Sequence, residues 1–463
     1  MLDRDLAEEV LRAARTHGGG FAEIFVEERT STSIRLDDGK VEELTTGLDR
    51  GAGIRVGTPE TTSFGFAHTN RLDRDALLEA AEAAAASLRA GTPGDVADLR
   101  ALEPPVRHRA QRPADAVAAA EKVSWVREAD EVARGVSPEV RQVVVSYVDS
   151  LQRILIATSD GRWVEESRPR IRLVPHVVAA RDDNIQTGLH GPAGSAGVEF
   201  FDEHPVAETA RIAAQRAVTM LDSIPAPAGE MTVVLAPGTG GVLFHEACGH
   251  PLEADIVDHE ASVYRGKIGE RVASELVTGV DDATVLNGWG SFGLDDEGAP
   301  AQRTPMFEQG VLSGWLYDRL RADKEGVPSS GNGRRQSYSS PPIPRMTNTY
   351  IVNGSSTAAD VLGSTPQGVY VKAMGGGQVN PATGDFVFGV AEGYLIQGGE
   401  LTTPVRGANL IGRAIEVMSA VDAVCDDFST WEGVCGKDGQ GVPVGSGSPT
   451  LRISRMTVGG TDA

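Results

Sequence analysis

An α+β fold is predicted for this sequence: an N-terminal α/β region of helices packed on antiparallel sheets, then a β-rich C-terminal domain. Three observations carry it. Helical periodicity alternates with period-two segments up to about residue 222. Beyond residue 225 helical patterns become rare, while Gly, Pro, Asn and Ser increase. The chain of 463 residues is long enough for two or three domains with real cores.

Residues 3–16 read as a helix, with Leu2, Leu6, Val10, Leu11 and Ala14 on one stripe. FAEIFVEER, TSIRLDD, KVEELTT, AGIRVGT and TSFGFAHT follow, and their punctuation predicts an antiparallel meander of short strands. An Ala-rich helix is predicted over residues 73–89. Gly91 to Pro113 is the first linker candidate, rich in Pro and Gly. Helix returns over 114–134, strands from Val140 to Ala180, and a third long helix over 203–222. SIPAPAGEM (223–231) closes that helix with two prolines and sets the main boundary. The predicted domains are 1–224, with possible subdomains 1–100 and 113–224, and 225–463. Within the second, MTVVLAP, GVYVKAM, FVFGVAEGYLIQGG and LRISRMTV read as strands. Residues 325–345 lack apolar periodicity and read as a long loop, functional or solvated.

The charge balance is 43 Lys plus Arg against 65 Asp plus Glu, a formal −22. Such an acidic chain is a poor nucleic-acid binder, having nothing to replace the counterions of a phosphate backbone. No apolar run reaches bilayer length, and MLDRDLAEEVLRAA lacks the basic and apolar parts of a signal peptide. Cys248, Cys425 and Cys435 are too few for a disulfide framework. A cytoplasmic protein is expected, without nucleic acid or membrane as partner.

The dense cluster is GTGGVLFHEACGHPLEAD (238–255). Apolar Val242, Leu243 and Phe244 begin a helix, with Thr239 as the expected cap. His245 and Glu246 are adjacent, and His250 comes five residues after His245. In the HExxH arrangement the two His lie one turn apart on one face, and the Glu acts as general base. One residue more would turn His245 and His250 about 140° apart on an ideal helix. Pro251 removes a backbone donor, and Gly249 softens the backbone ahead of it. A broken or bulged helix between Ala247 and Pro251 would bring the two rings to one ion. The plain alternative is two surface histidines near a helix end. A catalytic zinc site wants three protein ligands and an open position. For the third ligand the candidates are Cys435, Cys248, Cys425, Glu253, Asp255 and His259. Cys435 stands in a Gly-rich, surface-type segment, whereas Cys425 lies on an apolar pattern that suits the core.

HEACGHPLEAD (245–255), PRMTNTYI (344–351), MGGGQVNPATGDFVFGVAEGYLI (374–396) and CGKDGQGVPVGSGSPTLRI (435–453) resemble the TldD branch of the TldD/PmbA peptidases. The likeness covers the C-terminal domain at many positions and the N-terminal half in layout. It implies a zinc-dependent peptidase acting on unfolded or flexible peptides. Carried over by that resemblance, His245, His250 and Cys435 are metal ligands and Glu246 is the general base. It also implies a heterodimer with a paralogue of the PmbA/TldE kind that lacks the motif; a homodimer is the alternative. Tyr338, Arg334, Arg335 and His259 are the candidates for stabilising an oxyanion.

Two rival readings stay open at this point. One is a non-catalytic peptide-binding subunit of such a complex. The other is a cysteine peptidase with Cys435 as nucleophile and His245 or His250 as base. MGGGQVNPATGDF lacks the Lys-Ser/Thr and the helix that a phosphate loop needs. Its glycines suit a close backbone approach, either to a peptide or within a turn.

Overall fold

The computed structural model describes residues 1–88 and 94–460. The start of the predicted linker from Gly91 lies outside the described residues. From residue 94 it carries one short strand, Arg100–Leu102, laid parallel on the strand Arg162–Arg181.

The first helix, Arg4–Ala14, starts where the Asp3 carboxylate accepts the Leu6 N–H at 2.9 Å. Its stripe of Ala7, Val10, Leu11 and Ala14 is buried. The meander then differs from expectation in strand length. FAEIFVEER and TSIRLDD form one strand, Phe21–Asp37, and KVEELTT and AGIRVGT form another, Lys40–Thr58. The turn-type residues between them stay extended because Ser31 pairs with Gly47 on one side and Ser150 on the other. A strand bonded on both edges has no freedom to turn, so tertiary pairing overrides local punctuation. The real turn is Asp38-Gly39, with φ of 50° and 79°, the backbone that two-residue hairpins require. Likewise the segments after Val140 merge into Val140–Thr158 and Arg162–Arg181.

These strands make one sheet in the order Ser63–Thr69, Lys40–Thr58, Phe21–Asp37, Val140–Thr158, Arg162–Arg181, Arg100–Leu102. The two predicted N-terminal halves therefore share a sheet through the antiparallel pairing of Phe21–Asp37 with Val140–Thr158.

Alternate residues of a strand face opposite sides. Ala22, Ile24 and Val26 pack with Ala7, Leu11 and the Ala-rich helix Arg74–Leu88. Ile34, Val145, Tyr147 and Leu173 pack with the helices Ala119–Gly135 and Val206–Met220. The opposite face meets the C-terminal region through buried ions rather than an apolar core. Arg55, fully buried, contacts both Glu23 and Glu297. Arg335 also reaches Glu23, and Arg168 joins Glu166 (2.8 Å) to Asp296 (2.6 Å). A small cluster of Phe25, Ile154, Ile156, Val164 and Leu294 sits among them.

From residue 224 onward the strands form two larger sheets and a two-stranded ribbon. In the mixed sheet, Gln367–Val379 pairs with both Gly229–Leu235 and Asp385–Gln397, which closes part of it into a ring. The other runs Val311–Leu312, Arg303–Glu308, Gly279–Asp282, Asn348–Ile351, Gln440–Ser448, Ser429–Lys437. One core joins both, from Val233, Phe388 and Ile453 to Phe307, Ile351 and Val444. The 325–345 segment is irregular as predicted but not a solvated insertion: Asn332, Gly333, Arg334 and Arg335 are buried.

The buried ions give a pH expectation. Burial, opposed by Arg55 and reinforced by Asp318 and Glu23, pushes Glu297 up to about 7. An acid whose folded pKa is raised adds stability that is full below its unfolded pKa, near 4.5, and is lost as pH rises through the folded value. Urea titrations should therefore show Glu297→Gln gaining on the wild type between pH 4.5 and 7. Parallel pH curves for the two proteins would contradict this.

Candidate metal centre

The helix Thr239–Phe244 begins after Gly238, whose φ of 82° takes the chain into the turn. Thr239 does not cap it, contrary to expectation; its hydroxyl donates to the Lys372 carbonyl at 3.1 Å. The next five residues, His245–Gly249, form a π-helical turn, and His250–Leu252 a 3₁₀ turn. The His250 N–H reaches back to the His245 carbonyl, five residues earlier. That wider turn places residues five apart on one side, which the odd spacing demanded. The bulge thus lies where the sequence put it, but by a different route. His250 keeps helical dihedrals of −58° and −45° despite preceding Pro251, so widening of the whole turn does the work. Pro251 cannot donate to the Ala247 carbonyl, and the Tyr264 hydroxyl approaches that oxygen instead, at 3.5 Å. Gly249 lets the chain pass Met346, where a Cβ would lie 1.9 Å from the sulfur.

The third arm is a strand, not the surface loop suggested by composition. Cys435 is buried on Ser429–Lys437, which turns at Asp438-Gly439 (φ of 49° and 74°) into Gln440–Ser448. That Asp-Gly pair between alternating segments was the overlooked hairpin signal. Its Sγ lies 3.3 Å from His245 Nε2 and 3.2 Å from His250 Nε2. The rings cross at 85° with centroids 5.3 Å apart, and the three donor atoms all lie within 4.8 Å of one another. Tetrahedral zinc with bonds of about 2.0–2.3 Å would hold such N and S donors roughly 3.5 Å apart. Both N–S separations therefore fit a shared metal ion with a few tenths of an ångström of opening.

The electrostatics separate the three cysteines. Burial raises the Cys435 thiol, but the two imidazoles outweigh it and bring it down to about 4. Burial pushes Cys248 up to about 12 against Tyr264, and Cys425, packed with Val361 and Ala423, up to about 11. A thiolate is the metal-binding form. Glu246 lies beside the cluster, its carboxylate 3.8 Å from His250 Nε2 and its side chain 25% exposed, the wettest of the four.

Of the other ligand candidates, Glu253 stands behind His250, accepting its Nδ1–H at 3.0 Å, and Asp255 pairs with Lys437 at 2.7 Å. Burial opposes ionisation of Glu253, yet Lys437 and His250 hold its carboxyl down to about 2. His259 is exposed at the end of Ala254–Asp258. The proposed oxyanion donors are committed elsewhere. Arg334 donates to the Met346 and Pro443 carbonyls, Arg335 reaches Glu23, and the Tyr338 hydroxyl lies 3.3 Å from Asp49. Sequence reasoning missed Lys437 and Arg345. Lys437 could have been found from its position, two residues after Cys435 on one strand face.

Three family models match this chain: PmbA/TldA metallopeptidase domain 1 over 22–88, the central domain over 112–221 and the C-terminal domain over 228–460. The metalloprotease TldD homologue of Haemophilus influenzae is 38% identical over 451 residues, covering 96% of this chain and 93% of that protein. A metalloprotease of Methanothermobacter thermautotrophicus is 36% identical over 444 residues, 95% of this chain and 96% of the other. The crystal structure of TldE from Thermococcus kodakarensis shares the fold with a TM-score of 0.76 at 19% identity, over 98% of this chain and 99% of that one. With relatives of that similarity along nearly its whole length, the chain belongs to the PmbA/TldD metallopeptidase family and is a metalloprotease.

Proposed function

We propose that this chain is a zinc-dependent endopeptidase of unfolded or flexible peptides, with His245, His250 and Cys435 as ligands and Glu246 as general base. The observation that carries it is the convergence of two Nε2 atoms and one low-pKa thiolate. Mixed thiolate and imidazole donors suit zinc better than hard cations such as Mg²⁺ or Ca²⁺. When bound, the ion supplies Lewis acidity toward a water and a peptide carbonyl. Glu246, within reach of the cluster and open to solvent, takes a proton from that water and returns it to the leaving amine. Residues 225–463 carry this chemistry, and residues 1–224 support it as a separate domain. The three free cysteines suit a cytoplasmic setting. Among the described residues no helix is long and apolar enough to cross a membrane.

Elemental analysis should find one zinc per chain in protein prepared without chelator. Cys435→Ser should lose most of it and Cys425→Ser should keep it. Zinc retained by the first and lost by the second would place the site at Cys425 instead. A protein without metal, yet cleaving through a thiol that alkylating agents block, would establish the cysteine-peptidase reading instead.

The proposed partner is a motif-less paralogue of the TldE kind. Support comes from the shared fold and from an open strand edge, since Lys40–Thr58 meets Ser63–Thr69 only from Ala52 onward. Co-expression with such a paralogue should give a heterodimer by sedimentation. An active monomer at working concentration would exclude both this and the homodimer.

A further inference from the structure

Behind the three donors lies a second, largely buried layer of charge. Glu253 is 0% exposed, with one oxygen accepting from His250 Nδ1 at 3.0 Å and from Lys437 Nζ at 3.0 Å. Lys437 leaves the same strand face as Cys435 and also holds Asp255 at 2.7 Å and the Pro344 carbonyl at 3.0 Å. Arg345, likewise 0% exposed, donates to the Cys435 carbonyl at 2.6 Å. Its Nε lies 3.8 Å from the other Glu253 oxygen.

One carboxylate thus touches the histidine arm through His250 and the cysteine arm through Lys437 and Arg345. His250 and Cys435 stand 185 residues apart in the sequence. The bond to Nδ1 fixes the tautomer that, once a metal ion binds, presents the His250 Nε2 lone pair to it. The tie to Lys437 and Arg345 sets where the Cys435 strand lies relative to that ring. His245 has no such anchor, its Nδ1 being without a hydrogen-bond partner among the described residues. Burying this much charge is costly unless it is paired, and the pairs of Lys437 with Glu253 and Asp255 restrict the layer, although Glu253 Oε1 and Arg345 Nε make no hydrogen bond among the described residues.

We propose that Glu253, with Lys437 and Arg345, is a positioning clamp that assembles the His250 and Cys435 donors before any metal arrives. Glu253 does not touch the ion; it acts through its neighbours. The inference rests on the metal-site reading above.

The test uses the full chain and zinc or cobalt(II) alone as probe. Zinc affinity is measured by chelator competition, donor geometry by the visible spectrum of the cobalt protein, and folding by thermal melting. Glu253→Gln keeps the size of the side chain but removes its charge. It should bind zinc about 10–100-fold more weakly, with an altered cobalt spectrum. Lys437→Met should weaken zinc too while leaving the Glu253–His250 bond in place, and it decides the matter if Glu253→Gln does not fold. Wild-type affinity and spectrum in the folded variants would overturn the clamp, as would a lowered melting temperature with both unchanged. A wild-type protein that binds neither metal would overturn the site reading itself, and the clamp with it.

Discussion

Glu246→Gln should keep its zinc and lose about two to four orders of magnitude in peptide cleavage. The amide preserves size and a hydrogen bond, but it cannot take a proton at neutral pH. Geometry separates this effect from metal loss. Glu246 lies 3.8 Å from His250 Nε2, while the three donors converge without it. The bland alternative is a solvated carboxylate on the π-helical turn with no part in the chemistry. That would leave turnover at the wild-type level. Zinc content and cleavage measured on one preparation decide, and near-normal turnover with zinc present would end the proposed role.

The second large effect concerns stability. Arg55→Met should destabilise the fold by about 3–5 kcal/mol, because it leaves Glu23 and Glu297 buried with less compensation. Burial resists ionisation of Glu23, and the positive charges of Arg55 and Arg335 nonetheless hold its pKa below the usual value. Removing one of those charges strands a carboxylate that has no water to turn to. Adding Glu297→Gln in the same chain should recover part of the loss, since a neutral amide needs no counter-charge. Urea midpoints of the three proteins check this. A single variant within 1 kcal/mol of the wild type would mean the network contributes little.

Much of the geometry of the candidate metal centre was legible because its anomaly was local. The spacing of His245 and His250, together with Gly249 and Pro251, demanded a distorted helix, and a π-helical turn is what forms. Cys435 stood out as a candidate ligand through its Gly-rich, surface-type segment and through the family resemblance. Its segment reads as a loop until Asp438-Gly439 is taken as a hairpin turn. The long strands were hidden for the opposite reason. Their length is set by partners far away in sequence, such as Ser150 opposite Ser31. The ionic face was hidden most completely. Glu23, Phe25, Glu27 and Arg29 alternate with apolar residues as any solvent-facing side would. Only the fold reveals that Glu297 and Arg335, hundreds of residues later, are what that side meets.

That charged contact also governs which motions the molecule permits. Two apolar surfaces can slide by a side chain's width and refill their gaps, the shear that many two-layer proteins use. Guanidinium forks cannot. Displacing the first sheet by one residue against the loop 294–297 would separate Arg168 from Asp296 and Arg55 from Glu297 together. Each stranded ion would cost several kcal/mol in a dry setting. The two layers therefore resist sliding, which leaves the loops and hairpins around the candidate metal centre as the softer route for an incoming peptide.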